Sequence, residues 1–214
     1  MNRPASGDRR KPGPSWATYR QTIGDRSELF GILADGWPSH SALYPGCYLD
    51  VSPSTAIPAV TYVDTDRRAE RYFADHERVA AELRSRVRQG LKPRVRFLRG
   101  DYTTALDCAD AEFDLLISLY SGPLWDHCRK YLQPGGLFLA NASHGDASIA
   151  ALDPRLTLLA AVHKHNDRYR FDTDALDSYL VPKSPAAADP DEIRRNGRGI
   201  AYTRTAFAYL FRLI

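Results

Sequence analysis

Ala42–Asp66, ALYPGCYLDVSPSTAIPAVTYVDTD, decides the fold. It reads as a short apolar strand closing at Gly46, a loop, and a second strand (Val60–Asp64) that ends in acid at Asp64 and Asp66. In an open α/β sheet, that order sets a carboxylate at a strand's carboxyl end, where such sheets bind their ligands. A carboxylate only accepts hydrogen bonds, which suits a pair of vicinal hydroxyls.

Downstream of this stretch the pattern repeats. Ala69, Tyr72, Phe73, Val79, Ala80, Leu83 and Val87 recur at three- and four-residue spacing and predict one helix over Arg67–Arg88. A third strand follows at Val95–Leu98. The continuous apolar run Phe113–Tyr120 has the character of a strand buried on both faces. A helix near 123–132, the turn Pro134-Gly135-Gly136 and a fifth strand, Leu137–Asn141, come next.

Upstream, Leu29, Phe30, Ile32 and Leu33 form a helical pattern that Gly36 closes. In the last third, Leu156–His165 and Tyr169–Phe171 can pair across Asn166-Asp167. Thr173–Leu180 reads as helix and Ala206–Ile214 as a closing strand. Strands and helices that alternate in this way predict an α/β protein, a doubly wound, mainly parallel seven-stranded sheet with helices on both faces. Residues 1–14 are polar and aperiodic and are expected to form a flexible tail, with 15–214 as a single domain.

Composition narrows the function. With 29 Lys and Arg interleaved among 26 Asp and Glu, the formal charge of +3 predicts no nucleic-acid surface. Cys47, Cys108 and Cys128 form no CxxC pair, so neither a disulfide framework nor a structural zinc site is expected. His163 and His165 share one side of a strand but lack a third ligand at suitable spacing, so no metal is expected. No apolar run approaches a membrane span and the start has no apolar leader pattern, from which a cytoplasmic protein is expected. The GxSxG elbow and the GxxxxGK[ST] loop are both missing, which argues against a hydrolase of that type and a P-loop nucleotidase.

In their order and spacing, VTYVDTD, RVRFLRGDYTTAL, EFDLLISLY and YLQPGGLFLAN resemble the class I S-adenosylmethionine-dependent methyltransferases, over about residues 26–145. The resemblance implies a Rossmann-like domain, S-adenosylmethionine as cofactor and a small-molecule substrate. It places Gly46 at the first glycine of the cofactor loop, with Tyr44 close to where the family has an acid. Asp64 falls on the ribose-binding acid, and Asp101 on the acid that meets the adenine, with Tyr102 beside the ring. Tyr120 and Ser121, after strand four, would line the transfer cleft. The sequence departs from the family where Tyr48 replaces a glycine, and Asp50, Ser52 and Ser54 are alternative partners for the cofactor's amino-acid end.

NASHGD (Asn141–Asp146) follows strand five, at the sheet's ligand-binding end. Asn141 and Asp146 are candidate substrate contacts, as is Ser121. His144 paired with Asp146 is a candidate general base, with Tyr120 as the other catalytic candidate. The alternative is an Asp that caps a helix beside a surface His. Two further readings stay open. One is a non-catalytic, methyltransferase-like binding or scaffold protein, suggested by Tyr48. The other is a nicotinamide-dependent oxidoreductase, which lacks its GxGxxG turn here.

Overall fold

A computed structural model describes residues 13–214; most of the expected tail, residues 1–12, lies outside the described residues. Two helices, α1 (Trp16–Ile23) and α2 (Ser27–Gly36), precede the sheet. The sheet then builds from β1 (Ser41–Pro45), β2 (Ala59–Asp64), β3 (Arg94–Arg99), β4 (Phe113–Ser118), β5 (Leu132–Ala140), β6 (Leu156–His165), β7 (Arg168–Asp172) and β8 (Ala208–Leu213). Their spatial order is β3-β2-β1-β4-β5-β8-β6-β7. Pairs β3–β2, β2–β1, β1–β4 and β4–β5 are parallel; β8 is antiparallel to β5 and β6, and β7 is antiparallel to β6.

This is the expected doubly wound, mainly parallel α/β architecture, with eight strands rather than seven. β7 is the expected partner of β6, paired across the turn Asn166-Asp167 with His165 opposite Arg168, and the count of seven falls one short of the strand-like runs in the sequence. Strand order reverses between β1 and β4, the point where open sheets form their crevice.

Alternate residues of each central strand enter opposite cores. Ala42, Tyr44, Leu115 and Ile117 pack with Trp16, Leu29, Phe30, Tyr72 and Phe73 on one face. Leu43, Leu116 and Phe138 pack with Trp125, Tyr131, Ile149 and Ile193 on the other. The first face is covered by α1, α2, α3 (Arg67–Ala74) and α4 (His76–Arg84). The second is covered by α5 (Trp125–Cys128), α6 (Asp146–Leu152) and α7 (Pro190–Asn196).

Three expected helices differ. The run from Arg67 is broken at Asp75, whose carboxylate accepts from Arg78 N–H at 3.0 Å and starts a second helix. The segment near 123–132 shortens to α5 and a 3-10 turn, Arg129–Tyr131, while Pro134-Gly135-Gly136 lies within β5. Thr173–Leu180 contains only the 3-10 turn Leu176–Ser178.

The first crossover bears most on function. A parallel pair is usually joined through a helix, yet β1 reaches β2 through residues 46–58 with only the 3-10 turn Ser52–Thr55. Pro53, at the start of that turn, and Pro58, at the end of the segment, cannot donate to a continuing helix. The turn's four residues are buried, and α2 packs against it. The loop that leaves β1 therefore enters no α-helix before β2.

Candidate functional site

Four of the residues singled out from sequence converge at the carboxyl ends of β1, β2 and β3. Gly46 leaves β1 with φ +68°, and its N–H donates to Val63 O at 2.8 Å. Asp64, half-buried at the end of β2, accepts the N–H of Tyr48 on Oδ2 at 2.7 Å and that of Asp66 on Oδ1 at 2.8 Å. Asp101 follows β3, next to Gly100, whose N–H returns to Asp64 O at 3.2 Å. Its Oδ1 accepts the backbone N–H of Thr103 at 2.9 Å and the Thr103 hydroxyl at 2.8 Å. Those bonds hold the Asp101 carboxyl below its ordinary range. The half-buried hydroxyl of Tyr102 accepts from Gly122 N–H at 3.3 Å. Gly46, Asp64, Asp101, Tyr102 and Thr103 wall a cavity of about 230 Å³.

Tyr44 does not join them. It is 1% exposed within the first core, where its hydroxyl accepts from Arg26 Nη1 at 3.1 Å and donates to Asp50 Oδ2 at 3.2 Å. The alternation of β1 turns Tyr44 to the α2 side, away from the cavity.

Tyr48 takes the glycine's backbone conformation, with φ +48°. A left-handed non-glycine residue costs about 1–2 kcal/mol. The bond to Asp64 and an edge-on contact with Tyr19 of α1, centroids 4.9 Å apart, hold it there. Its ring packs on α1 and is not a wall of the Asp64 cavity.

Asp50, Ser52 and Ser54 are not free for a ligand; each is 0% exposed. Asp50 pairs with Arg26 at 2.8 Å and accepts both the N–H (3.0 Å) and the hydroxyl (2.5 Å) of Ser52. Ser54 Oγ bonds the Tyr62 hydroxyl at 2.6 Å. They stabilise the short crossover from inside. Arg26 is the important residue that sequence reasoning missed, since its partner stands 24 positions away with no local motif between them.

At the other side of the switch point, Ser121 Oγ donates to Pro45 O at 3.0 Å. A side chain on Gly46 would collide with Ser121 Cβ, so Gly46 and Ser121 close the gap between β1 and β4. Tyr120 is 53% exposed at φ +64°, with the Arg26 guanidinium over its ring at 5.2 Å. Asn141 Oδ1 accepts from Tyr120 N–H at 3.3 Å and from the Ser143 hydroxyl at 2.8 Å, so it braces the turn.

The His144–Asp146 pair does not form. His144 is exposed, with Nδ1 on Ser143 Oγ at 2.9 Å. Asp146 is 1% exposed and accepts the N–H groups of Leu124 (3.0 and 2.9 Å) and Trp125 (3.0 Å) and the Ser118 hydroxyl (2.6 Å). Its carboxylate caps the start of α5, and burial pushes its pKa up. The substrate role expected of Asp146 is thus replaced by a structural one. Among the described residues no cluster of three metal-ligating side chains occurs. His163 Nε2 instead meets the Tyr179 hydroxyl at 2.7 Å. Among the same residues no helix is long and apolar enough to cross a membrane.

No protein-family model and no curated protein matches this sequence. The solved structures similar to it include methyltransferases. One is the N-methyltransferase NodS from Bradyrhizobium japonicum WM9, 13% identical, covering 92% of this chain and 96% of that one, with a TM-score of 0.46. Another is the O-methyltransferase TomG from Streptomyces achromogenes, involved in tomaymycin synthesis and solved in complex with SAM. It is 14% identical, with 68% and 76% coverage and a TM-score of 0.45. A third is the SAH-bound methyltransferase PaMTH1 from Podospora anserina, at 15% identity, 68% and 80% coverage and a TM-score of 0.45. Identity and TM-score are low in all three, and the chemistry of the site stands on this chain's own residues.

Proposed function

We propose that this protein is an S-adenosylmethionine-dependent methyltransferase acting on a small molecule. The observation that carries the reading is the convergence of Gly46, Asp64, Asp101 and Tyr102 on one cavity beside the switch point of a doubly wound sheet.

The donor set fits the nucleoside half of that cofactor. A carboxylate offers about four lone-pair sites; Tyr48 and Asp66 take two on Asp64, leaving acceptors for vicinal ribose hydroxyls. Asp101 would accept from an exocyclic amine and Tyr102 would pack beside the base. When bound, the cofactor supplies a methyl group already activated as a sulfonium. The protein's part is then to hold the nucleoside, exclude water and orient the substrate. Effective molarities from positioning alone supply about 7–11 kcal/mol. A site without a His–Asp base is adequate for that task.

Calorimetric titration of the folded protein with S-adenosylhomocysteine and S-adenosylmethionine tests this. Binding by the wild type, abolished in Asp64→Ala, is the expected result. Absence of heat with both ligands overturns it and leaves a methyltransferase-like binding module.

A further inference from the structure

Five buried side-chain polar atoms among the described residues have no hydrogen-bond partner: Trp16 Nε1, Arg20 Nη1, Arg26 Nε, Ser27 Oγ and Tyr169 OH. Trp16 and Arg20 lie together on one face of α1, with Arg20 Nη1 3.7 Å from Asp25 and the Arg20 guanidinium over the Trp16 ring, whereas Arg26 is the one of the five that walls a cavity. Four belong to the α1–α2 segment, and Tyr169 is tied to that segment by its N–H, which donates to Glu28 Oε2 at 2.9 Å. Buried polar groups are nearly always satisfied, so the orphan Nε of Arg26, a wall residue of a cavity, marks a missing partner. A guanidinium N–H can only donate, which makes that partner an acceptor.

The space for it is present. A cavity of about 270 Å³ is walled by Tyr19, Thr22, Ile23, Arg26 and Tyr120. Tyr48 stands between it and the Asp64 cavity, with its N–H on Asp64 and its ring against Tyr19. Arg26 is 3% exposed, and its Nη1 is already taken by Tyr44 and Asp50 while Nε stays unpaired.

The walls also specify chemistry. Tyr19 and Tyr120 present aromatic surface, and Tyr120 is held in a left-handed conformation that leaves its ring half exposed. Residues in such strained conformations cluster at ligand sites. The charges in this region are Arg20, Arg26, Arg86, Lys164 and Arg168 against Asp25, Asp50, Glu28 and Asp167, one positive charge in excess. Lys164 Nζ reaches Ile23 O at 3.3 Å and has no carboxylate within ion-pair distance among the described residues. The volume lies just below the usual range of small-molecule pockets, about 300 Å³ upward, and suits a single ring.

We infer that this second cavity binds the substrate and that the substrate is a single-ring aromatic carboxylate. Its ring lies against Tyr19 and Tyr120, and its carboxylate accepts from Arg26 Nε–H. That the ligand is the substrate rests on the methyltransferase reading; that it binds does not.

The test is an NMR titration of the full chain with 4-hydroxybenzoate, phenol and acetate, alongside calorimetry with S-adenosylhomocysteine. Phenol and acetate are expected to bind at least tenfold more weakly than 4-hydroxybenzoate. Tyr120→Gly, which suits the left-handed backbone, is expected to weaken 4-hydroxybenzoate at least tenfold and to leave S-adenosylhomocysteine unaffected. Arg26→Lys keeps the charge without the Nε–H and is a second variant with the same expectation. Equal binding of phenol, or 4-hydroxybenzoate affinity unchanged in Tyr120→Gly, overturns the inference. Binding of S-adenosylhomocysteine with none of the three probes also overturns it, while sparing the methyltransferase reading. The reverse pattern sustains the cavity as a carboxylate site and removes that reading.

Discussion

The N–H of Tyr48 donates to Oδ2 of Asp64 at 2.7 Å, so one carboxylate both anchors the loop after β1 and faces the cavity. Asp64→Ala removes the acceptor for Tyr48 and Asp66 together. Hydrogen bonds to a charged group are worth about 1.5–3 kcal/mol each. A stability loss of about 3–6 kcal/mol is expected in urea unfolding, with S-adenosylhomocysteine binding lost in calorimetry. Asp64→Asn keeps one carbonyl oxygen, and intermediate values of both are expected. Full affinity in Asp64→Ala would remove this carboxylate from the ligand site.

Tyr48→Gly separates backbone from side chain at the position where the chain departs from a glycine loop. It relieves a left-handed residue, worth about 1–2 kcal/mol, and forfeits the Tyr19 contact, worth about 0.5–1.5 kcal/mol beyond buried area. Together with the lost burial of a half-buried ring packed on the first core, a net stability loss of about 1–2 kcal/mol is expected. Nucleoside affinity is expected to be unchanged, because the ring does not wall that cavity. A large gain in affinity would show that the ring obstructs the site.

These residues also show what a sequence can disclose. The placement of Asp64, Asp101 and Gly46 was legible because each ends or follows a strand, and parallel topology carries strand ends to one edge. The hairpin across Asn166-Asp167 was legible as well, from two strand-like runs flanking a turn pair, and the total of seven fell one short of the apolar runs themselves. Asp146 and Tyr44 misled for a shared reason. A polar group near a strand end serves a ligand or the fold according to which way it faces, and each of these faces inward. Arg26 was invisible, since a buried ion pair between distant positions has no periodicity. The helix expected at 67–88 failed at Asp75, where a side chain competent to cap prevailed over continuous amphipathicity.

Asp50→Ala leaves Arg26 charged at 3% exposure with its carboxylate gone. Breaking a buried pair in this way costs about 3–5 kcal/mol. Ser52 loses the acceptor for its N–H and hydroxyl as well. Expected is a large drop in the urea midpoint and, by limited proteolysis, cleavage within residues 46–58 before elsewhere. A midpoint near wild type would mean that the crossover is held by its apolar contacts instead.

Gly46→Ala meets two penalties, a left-handed backbone at φ +68° and a collision with Ser121 Cβ. The first costs about 1–2 kcal/mol; the second depends on Ser121 and is relieved in Gly46→Ala/Ser121→Gly. Contacting residues couple by about 0.5–3 kcal/mol in double-mutant cycles. Favourable coupling of that size is expected from unfolding of the four proteins. Additive effects would show that β1 and β4 tolerate separation at this point.

Asp146 offers a pH test with a definite sign. Burial is the main cause of its raised pKa, opposed by the bonds from Ser118, Trp125 and Leu124. The native state therefore holds this proton more tightly than the unfolded chain does. Its contribution to stability is full below the unfolded value of 3.8 and is lost as pH rises through the folded value. Asp153 works the other way: Arg155 chiefly lowers its pKa, so its contribution is lost as pH falls. In Asp146→Asn the amide oxygen can accept from Leu124 and Trp125, and the NH₂ can donate to Ser118, without a titrating proton. The wild-type-minus-variant stability is expected to decline with rising pH from about 4 and then level off, measured by urea unfolding between about pH 3.5 and 8. A difference that stays flat across that range would show no raised carboxyl at this position. Asp146→Ala leaves two backbone donors without acceptors at the start of α5 and is expected to lose about 2–5 kcal/mol, with the same decline of the difference as pH rises.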